Sequence, residues 1–248
     1  MSKTYETGHA KNVANFETLV AYVNGYGSVY NPSNPFIQLT NLTAKATAAK
    51  TITEQVNNLI AENSNAIASR DLAFQPFKSL NTRILNAIRA SNVPRQIIDN
   101  AAGNTRKIRG ERESVLLTAE QKQKLAESGT IVNQISASQQ SYVSMLDSFE
   151  KQLKLLATIP QYAPNETDLQ LATLTTLYAD LLKKNRDVIS KTSDLSTLRL
   201  NRNNILYDVE TGIVALALDA KNYVKSVFGA TSPQFKQISG IAFKTVKT

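Results

Sequence analysis

The chain has 248 residues, contains neither cysteine nor tryptophan, and carries 28 Lys and Arg against 20 Asp and Glu, a formal net charge of +8. Without cysteine there is no disulfide, no thiolate nucleophile and no sulfur-bound metal. The chain has 9 glycines and 7 prolines, and 42% of its residues are hydrophobic. This composition is typical of a folded protein rich in helix.

The first residues of the sequence are polar and lack the apolar core of a secretory signal. No later segment reaches the run of about 18 apolar residues that a membrane-spanning helix needs. We therefore expect a cytoplasmic protein, with non-classical export left open.

In chain order, four segments predict helices: 10–24, 35–90, 118–157 and 167–228. The opening segment ends at Gly25 and Gly27, and Asn34 before Pro35 predicts the start of the next helix. In the longer segments, apolar residues recur at alternating steps of three and four, which is a heptad pattern. The pattern predicts an all-α fold, namely an elongated, antiparallel, coiled-coil-like helical bundle.

The sequence also contains an internal repeat. The tetrapeptides that begin at Tyr30 and Tyr162 share the pattern Tyr-x-Pro, and they lie 132 positions apart. At the same spacing Arg70 matches Arg202, and several heptad positions agree. The match predicts a duplicated helical hairpin, each copy with a short arm followed by a long arm.

This repeat suggests a division of one elongated domain into four parts. Residues 1–91 form the first hairpin repeat and residues 118–230 the second. Residues 92–117 form a joint with a short helix, predicted to stop before Gly103, and a basic loop. Residues 231–248 form an extended C-terminal arm.

Three runs of the sequence resemble segments of a known protein family. They are Gly-His-Ala-Lys-Asn-Val-Ala-Asn-Phe-Glu at 8–17, Ala-Ser-Arg-Asp at 68–71 and Tyr-Val-Lys-Ser-Val-Phe-Gly at 223–229. The family consists of uncharacterised bacterial all-helical proteins, and the resemblance covers most of the chain. The family has no known activity, so the resemblance implies a helical architecture and no function.

Polar side chains at predicted seam positions are candidates for a buried polar layer. These residues are Arg70, Arg202, Asn63 and Asn185. A layer of this kind suits a ligand, ion or proton site, or it fixes the register of the helices, since polar seam residues specify register and arginine stems can extend their heads to solvent. The second interpretation is the simpler one.

Two other groups are candidates for binding. The basic loop contains Arg106, Lys107, Arg109 and Arg112, and the C-terminal arm offers Phe235, Ile238, Ile241, Phe243 and Lys244 as interaction residues. Nucleic acid is not the expected partner, because no nucleic-acid motif is present and aromatic residues at such spacings commonly dock a tail on its own domain.

The sequence predicts no catalytic, cofactor-binding or metal-binding residue. His9 is the single histidine and lies near an end that we expect to be frayed, and the common phosphate, acyl-transfer and metal motifs are missing. We therefore do not expect an enzyme and expect no cofactor.

The function predicted from these features is that of a structural or protein-interaction bundle: a scaffold, spacer or assembly component that binds itself or another protein. The alternative is a membrane-active protein resembling helical pore-forming toxins. Residues 212–218 are the most apolar run and precede a basic tail that favours anionic lipid.

Overall fold

The computed structural model describes residues 6–111 and 141–244, with side chains from residue 8 onward. Within these ranges the chain is all-α, as predicted, and contains no strand. The helices are α1 (Glu6–Gly25), α2 (Leu39–Phe74), α3 (Phe77–Ala90), α4 (Arg95–Arg109), α5 (Tyr142–Ala157), α6 (Leu171–Tyr207), α7 (Ile213–Phe228) and α8 (Pro233–Ser239). Short 3-10 turns occupy Gly27–Val29, Pro35–Ile37 and Thr167–Leu169.

Two of the predicted long helices, 35–90 and 167–228, are interrupted in the structure, which corrects the sequence interpretation. The segment 35–90 breaks at Gln75 and Pro76, between α2 and α3. Proline lacks the backbone N–H of a helical residue and crowds the preceding turn, so the heptad seam continues while the helix does not. Of the predicted helix 118–157, residues 118–140 lie outside the described residues, and α5 begins after Ser141, whose hydroxyl accepts a hydrogen bond from Ser144 N at 3.1 Å.

The segment 167–228 breaks between α6 and α7. The Asp208 carboxylate accepts hydrogen bonds from the backbone N–H groups of Glu210 and Thr211, at 3.1 and 2.7 Å. These bonds close a turn, and they hold the pKa of Asp208 below its usual range, with the Thr211 backbone as the largest cause. Gly212 follows, where a Cβ atom would stand 2.5 Å from the Asp208 carbonyl oxygen.

The C-terminal arm is not extended as predicted, because α8 lies within it. Ser232 caps this helix by accepting a hydrogen bond from Phe235 N at 3.1 Å, and Pro233 occupies the first helical position. Both residues are typical of the start of a helix, and the prediction of an extended arm did not take them into account.

The joint also differs from its prediction. Helix α4 continues through Gly103 and ends at Gly110, which adopts a left-handed conformation with φ of 72°. A glycine inside a helix weakens it without ending it, whereas a left-handed residue does end it. Three residues of the predicted basic loop, Arg106, Lys107 and Arg109, therefore lie in the last helical turn.

The two halves of the described chain repeat the same order of elements. In each, a short helix leads to a tyrosine-containing turn, a 3-10 turn, a long helix and two further helices. The Tyr30 hydroxyl donates to the Ile37 carbonyl oxygen at 2.7 Å, and Tyr162 donates to the Leu169 carbonyl oxygen at 2.8 Å. Since Ile37 and Leu169 are also 132 positions apart, this matched bond supports the predicted duplication.

The chain forms two compact units, and each takes segments from both halves of the sequence. Unit 1 comprises Met1–Ser64 and Lys191–Thr248, and unit 2 comprises Asn65–Ser190. Both long helices contribute residues to each unit. The predicted division at 91, 117 and 230 describes the repeats and stays a prediction.

Each unit has its own apolar core. The core of unit 1 is built from α1, α7 and α8 with parts of the two long helices, and includes Phe16, Leu19, Leu42, Leu216 and Ile238. The core of unit 2 is built from α3, α4 and α5, again with parts of the long helices, and includes Phe77, Ile84, Ile108, Phe149 and Leu174.

Candidate functional site

The predicted polar residues Arg70 and Asn185 lie together in unit 2. The Arg70 guanidinium donates to the Asn185 side-chain oxygen at 3.5 Å, and its Nε lies 3.5 Å from the Asp71 carboxylate. Its Cζ also lies 3.9 Å from the centre of the Tyr142 ring. Arg70 is therefore held by an acid, an amide and an aromatic face, the three kinds of partner that suit a guanidinium.

Tyr142 completes this cluster. Its hydroxyl donates to the Asp71 carboxylate at 2.6 Å. That hydrogen bond, followed by burial, raises the pKa of Tyr142, because loss of the proton would place two negative charges side by side. Sequence reasoning passed over Tyr142, which reads as an ordinary seam residue; the tertiary fold brings it to Arg70.

The other two predicted polar residues lie in unit 1. Arg202 is 4% exposed, and its Nε and Nη2 donate to the Asn203 side-chain oxygen at 3.2 and 3.0 Å. Asn63 accepts a hydrogen bond from the Thr192 hydroxyl at 3.2 Å. The four residues are thus distributed as Arg70 with Asn185 in one unit, and Arg202 and Asn63 in the other.

His9 is buried, which corrects the expectation of a frayed end. Its Nδ1 lies 2.6 Å from the Tyr207 hydroxyl, and it is 4% exposed. Neighbouring Asn12 donates to the Lys244 carbonyl oxygen at 2.7 Å and accepts from Lys244 N at 3.0 Å. These bonds tie the first helix to the last described residue. No group of three or more potential metal ligands occurs in residues 6–111 and 141–244.

The basic residues of the predicted loop lie in the last turn of α4. They are Arg106, Lys107 and Arg109, whereas Arg112 lies outside the described residues. Cations are favourable there, because the helix end carries partial negative charge. Arg109 pairs with Glu111 at 2.7 Å and lines an open cavity of about 450 Å³ together with Lys78, Ser79, Thr82, Arg83 and Glu111.

The predicted interaction residues of the arm pack on the core of unit 1. Ile238 is fully buried there, and Phe235, Ile241 and Phe243 are partly buried against the same core. The Phe243 ring lies 5.5 Å from Lys221 Nζ. These apolar side chains therefore dock on the protein's own core, and a role of the arm in binding a partner stays a prediction. Lys244 is the one member of the set that is exposed.

The apolar run 212–218 also faces the core. Ile213, Leu216 and Ala217 are at most 1% exposed, whereas Leu218 lies on the outer side of α7. None of the helices in the described ranges combines the length and hydropathy of a membrane span.

One group of exposed apolar side chains lies in unit 1, on α1, the turns after it and the end of α7, and we call it the aromatic end. It consists of the exposed side chains Tyr22, Val29, Phe36 and Val227, together with the half-buried rings of Tyr26, Tyr223 and Phe228. The Tyr26 and Phe228 rings lie 5.4 Å apart and those of Tyr30 and Tyr223 5.1 Å apart, so the turn after α1 packs on the end of α7. A groove of about 300 Å³ opens beside it, lined by Ala21, Tyr22, Gly25, Tyr26, Pro233, Gln234 and Gln237.

The aromatic end carries positive charge and no carboxylate of its own. Residues 18–44 contain no charged side chain, and no acidic residue follows Asp219. The segments that form this end carry lysines, among them Lys225, whose Nζ lies 5.8 Å from the Phe235 ring, and Lys236. The electrostatic character of this surface is therefore cationic.

The duplicated turn in unit 2 has polar side chains where the aromatic end has apolar ones. Gln161 and Asp168 occupy the positions that correspond to Val29 and Phe36. Asp168 forms an ion pair with Arg83, and the hydrogen bond from Arg83 lowers the pKa of Asp168. The turn thus forms equally well with polar side chains, so the apolar residues of unit 1 are not required by its geometry.

No family model, curated protein or solved structure matches the chain.

Proposed function

We propose that this protein is a non-enzymatic interaction module that binds a partner protein through the aromatic end of unit 1. The observation that carries the proposal is the exposure of Phe36 and Val29, at 54% and 53%, where the duplicated turn has the polar residues Asp168 and Gln161. A scaffold or assembly role for the helical bundle follows from such a surface.

Exposed apolar residues support this proposal because of their grouping. Single exposed apolar side chains are ordinary on protein surfaces, whereas contiguous apolar patches mark binding sites. Here Val29 and Val227 adjoin, in the chain, members of ring pairs that are in contact, and Phe36 lies in the turn that follows. Aromatic residues are also enriched at the centres of interfaces, where they provide much of the binding free energy.

The charge of the aromatic end indicates the chemistry of the partner. Its lysines have no carboxylate on residues 18–44 or after Asp219 to oppose them. An apolar segment flanked by acidic residues complements this surface, because opposite charges speed encounter and fix orientation. A second copy of the same end would bring lysines together.

The test is site-specific photo-crosslinking in the cells that produce the protein. A photoreactive phenylalanine at Phe36 or Val29 should crosslink one discrete protein, and the same residue at Gln161 should not. The purified partner should then bind the variant Val29→Gln/Phe36→Asp, which copies the duplicated turn, at least tenfold more weakly. Far-ultraviolet circular dichroism should show unchanged helicity, since both positions are half exposed.

Identical crosslinks from Phe36 and Gln161, or unchanged partner affinity in the double variant, would contradict the proposal. Flotation with anionic vesicles separates it from membrane action. Binding to vesicles that persists at physiological salt and disappears in Val29→Gln/Phe36→Asp would assign this surface to lipid and overturn the proposed function.

A further inference from the structure

Three buried polar side chains lie on the helices that build the core of unit 2, and we call them the interior polar triad. They are Asn81 on α3, Thr105 on α4 and Gln152 on α5, with exposures of 0, 2 and 0%. Asn81 Oδ1, Thr105 Oγ1 and both side-chain polar atoms of Gln152 have no hydrogen-bond partner among the described residues. The second polar atom of Asn81, Nδ2, donates to the Phe77 carbonyl oxygen at 2.8 Å.

These side chains belong to helices that share one core. The Phe77 ring, one turn before Asn81 on α3, lies 4.9 Å from the Phe149 ring, three residues before Gln152 on α5. Helix α4, which carries Thr105, packs on both α3 and α5.

The duplicated fold does not need polar groups at these positions. Ile213 corresponds to Asn81 at the spacing of the repeat, and Leu19 corresponds to Gln152 when one residue is inserted in the alignment. Both are fully buried in the core of unit 1. The positions of Asn81 and Gln152 are thus filled by apolar side chains in one unit and by side chains with unpartnered polar atoms in the other.

We infer that the interior polar triad makes unit 2 a built-in weak region, in which α3, α4 and α5 separate locally while unit 1 remains folded. A buried polar atom without a partner loses its hydration and gains nothing in return, so it destabilises the closed state relative to any state that admits water. Such opening exposes Phe77 and Phe149, which otherwise fill the core of unit 2. This device is independent of the aromatic end, which belongs to unit 1.

Hydrogen–deuterium exchange on the full chain, followed by mass spectrometry of peptides, tests the inference. Peptides from α3, α4 and α5 should exchange faster than those from α1 and α7. The variant Asn81→Ile/Gln152→Leu, which copies unit 1, should slow exchange in the α3, α4 and α5 peptides at least tenfold, equivalent to about 1.4 kcal/mol. Exchange in α1 and α7 should stay the same.

Thr105→Val provides a second variant of nearly equal shape, which keeps the test decisive if the double variant fails to fold. Slower exchange in Thr105→Val supports the inference, because a hydroxyl without a partner has been removed. Faster exchange would show that the hydroxyl is hydrogen-bonded in the closed state and would overturn it. Equal protection of the α3 and α7 peptides in the unaltered protein would overturn it as well.

Discussion

At the scale of the residue, Tyr30 and Tyr162 show how one side chain closes the same turn in both halves of the chain. Each hydroxyl donates to a carbonyl oxygen of the following 3-10 turn. Burial, followed by the nearby carboxylates of Asp168 and Glu166, raises the pKa of Tyr162 to about 12. Burial also raises the pKa of Tyr30 above its ordinary range.

These shifts predict a stability that falls at alkaline pH. The protonated phenol is the form that the fold stabilises, so its contribution is complete below the ordinary tyrosine pKa of about 10 and is lost as the pH rises through the higher folded value. Tyr162→Phe should lower the free energy of unfolding by about 1 kcal/mol at neutral pH. It should also flatten the decline between about pH 10 and pH 12.

Urea unfolding measured across this pH range checks the prediction, with Tyr22→Phe at an exposed tyrosine as the control. A Tyr162→Phe variant whose stability declines as steeply as that of the unaltered protein would contradict the assignment of the decline to this hydroxyl.

Arg70 shows, at the same scale, that the sequence indicates a polar position but does not indicate the partners of that residue. Its heptad position already indicated a polar side chain on the inner face of a helix. Its partners Asn185 and Tyr142 lie on other helices, and no local pattern links those positions. The same limit applies to His9, whose burial depends on Tyr207.

At the scale of the element, the breaks in the long helices depend on close approach of the backbone. Gly212 has an ordinary negative φ of −72°, so its conformation alone does not call for glycine. Its Cβ position is instead filled by the backbone of Asp208, at 2.5 and 2.6 Å. Glycine is required here for space.

Gly212→Ala should therefore destabilise the protein by about 1–3 kcal/mol, the usual range for an overpacked site. Gly103→Ala is the matched control, because nothing lies within 4 Å of its Cβ position and it sits inside α4. Alanine should stabilise that helix by roughly 0.5–1 kcal/mol. Thermal unfolding of the two variants distinguishes these opposite signs, and a neutral Gly212→Ala would show that the turn has room to adjust.

The sequence predicted most of the helical segments, whereas it predicted the ends of the helices less accurately. Apolar spacing predicted the helical segments, and Gly25 was placed correctly at the end of α1. Asn34 instead caps the 3-10 turn Pro35–Ile37, and α2 begins at Leu39. Pro76 was passed over because the apolar seam runs on through it. The helical arm was missed because seven residues of α8 are too few to show a period.

At the scale of the whole molecule, a repeat of the sequence is not a compact unit of the structure. Unit 1 combines the beginning of the first repeat with the end of the second, and unit 2 combines the remaining parts. Leu42 of the first repeat and Leu216 of the second therefore belong to one core.

A fragment of residues 1–117 should consequently fail to unfold cooperatively as a monomer, because each of its halves lacks the segments that complete its core. Mixing it with residues 118–248 should restore the cooperative transition. Circular dichroism melting with light scattering to measure mass tests this expectation. A monomeric fragment with a sharp transition of its own would show that the repeat folds independently.

Local interactions explain what the sequence determined by itself: the all-α class, most of the helical segments, the repeated tyrosine turn and the polar character of the Arg70 position. Helix formation, capping and heptad spacing all depend on residues close together in the chain, so the sequence alone is enough to recognise them. Tertiary packing alone decided which parts of the two repeats share a core, that Ile238 enters one, and that Asn81, Thr105 and Gln152 are buried in the other unit. Those outcomes depend on contacts between residues far apart in the chain, and burial is a property of the assembled surfaces rather than of any segment.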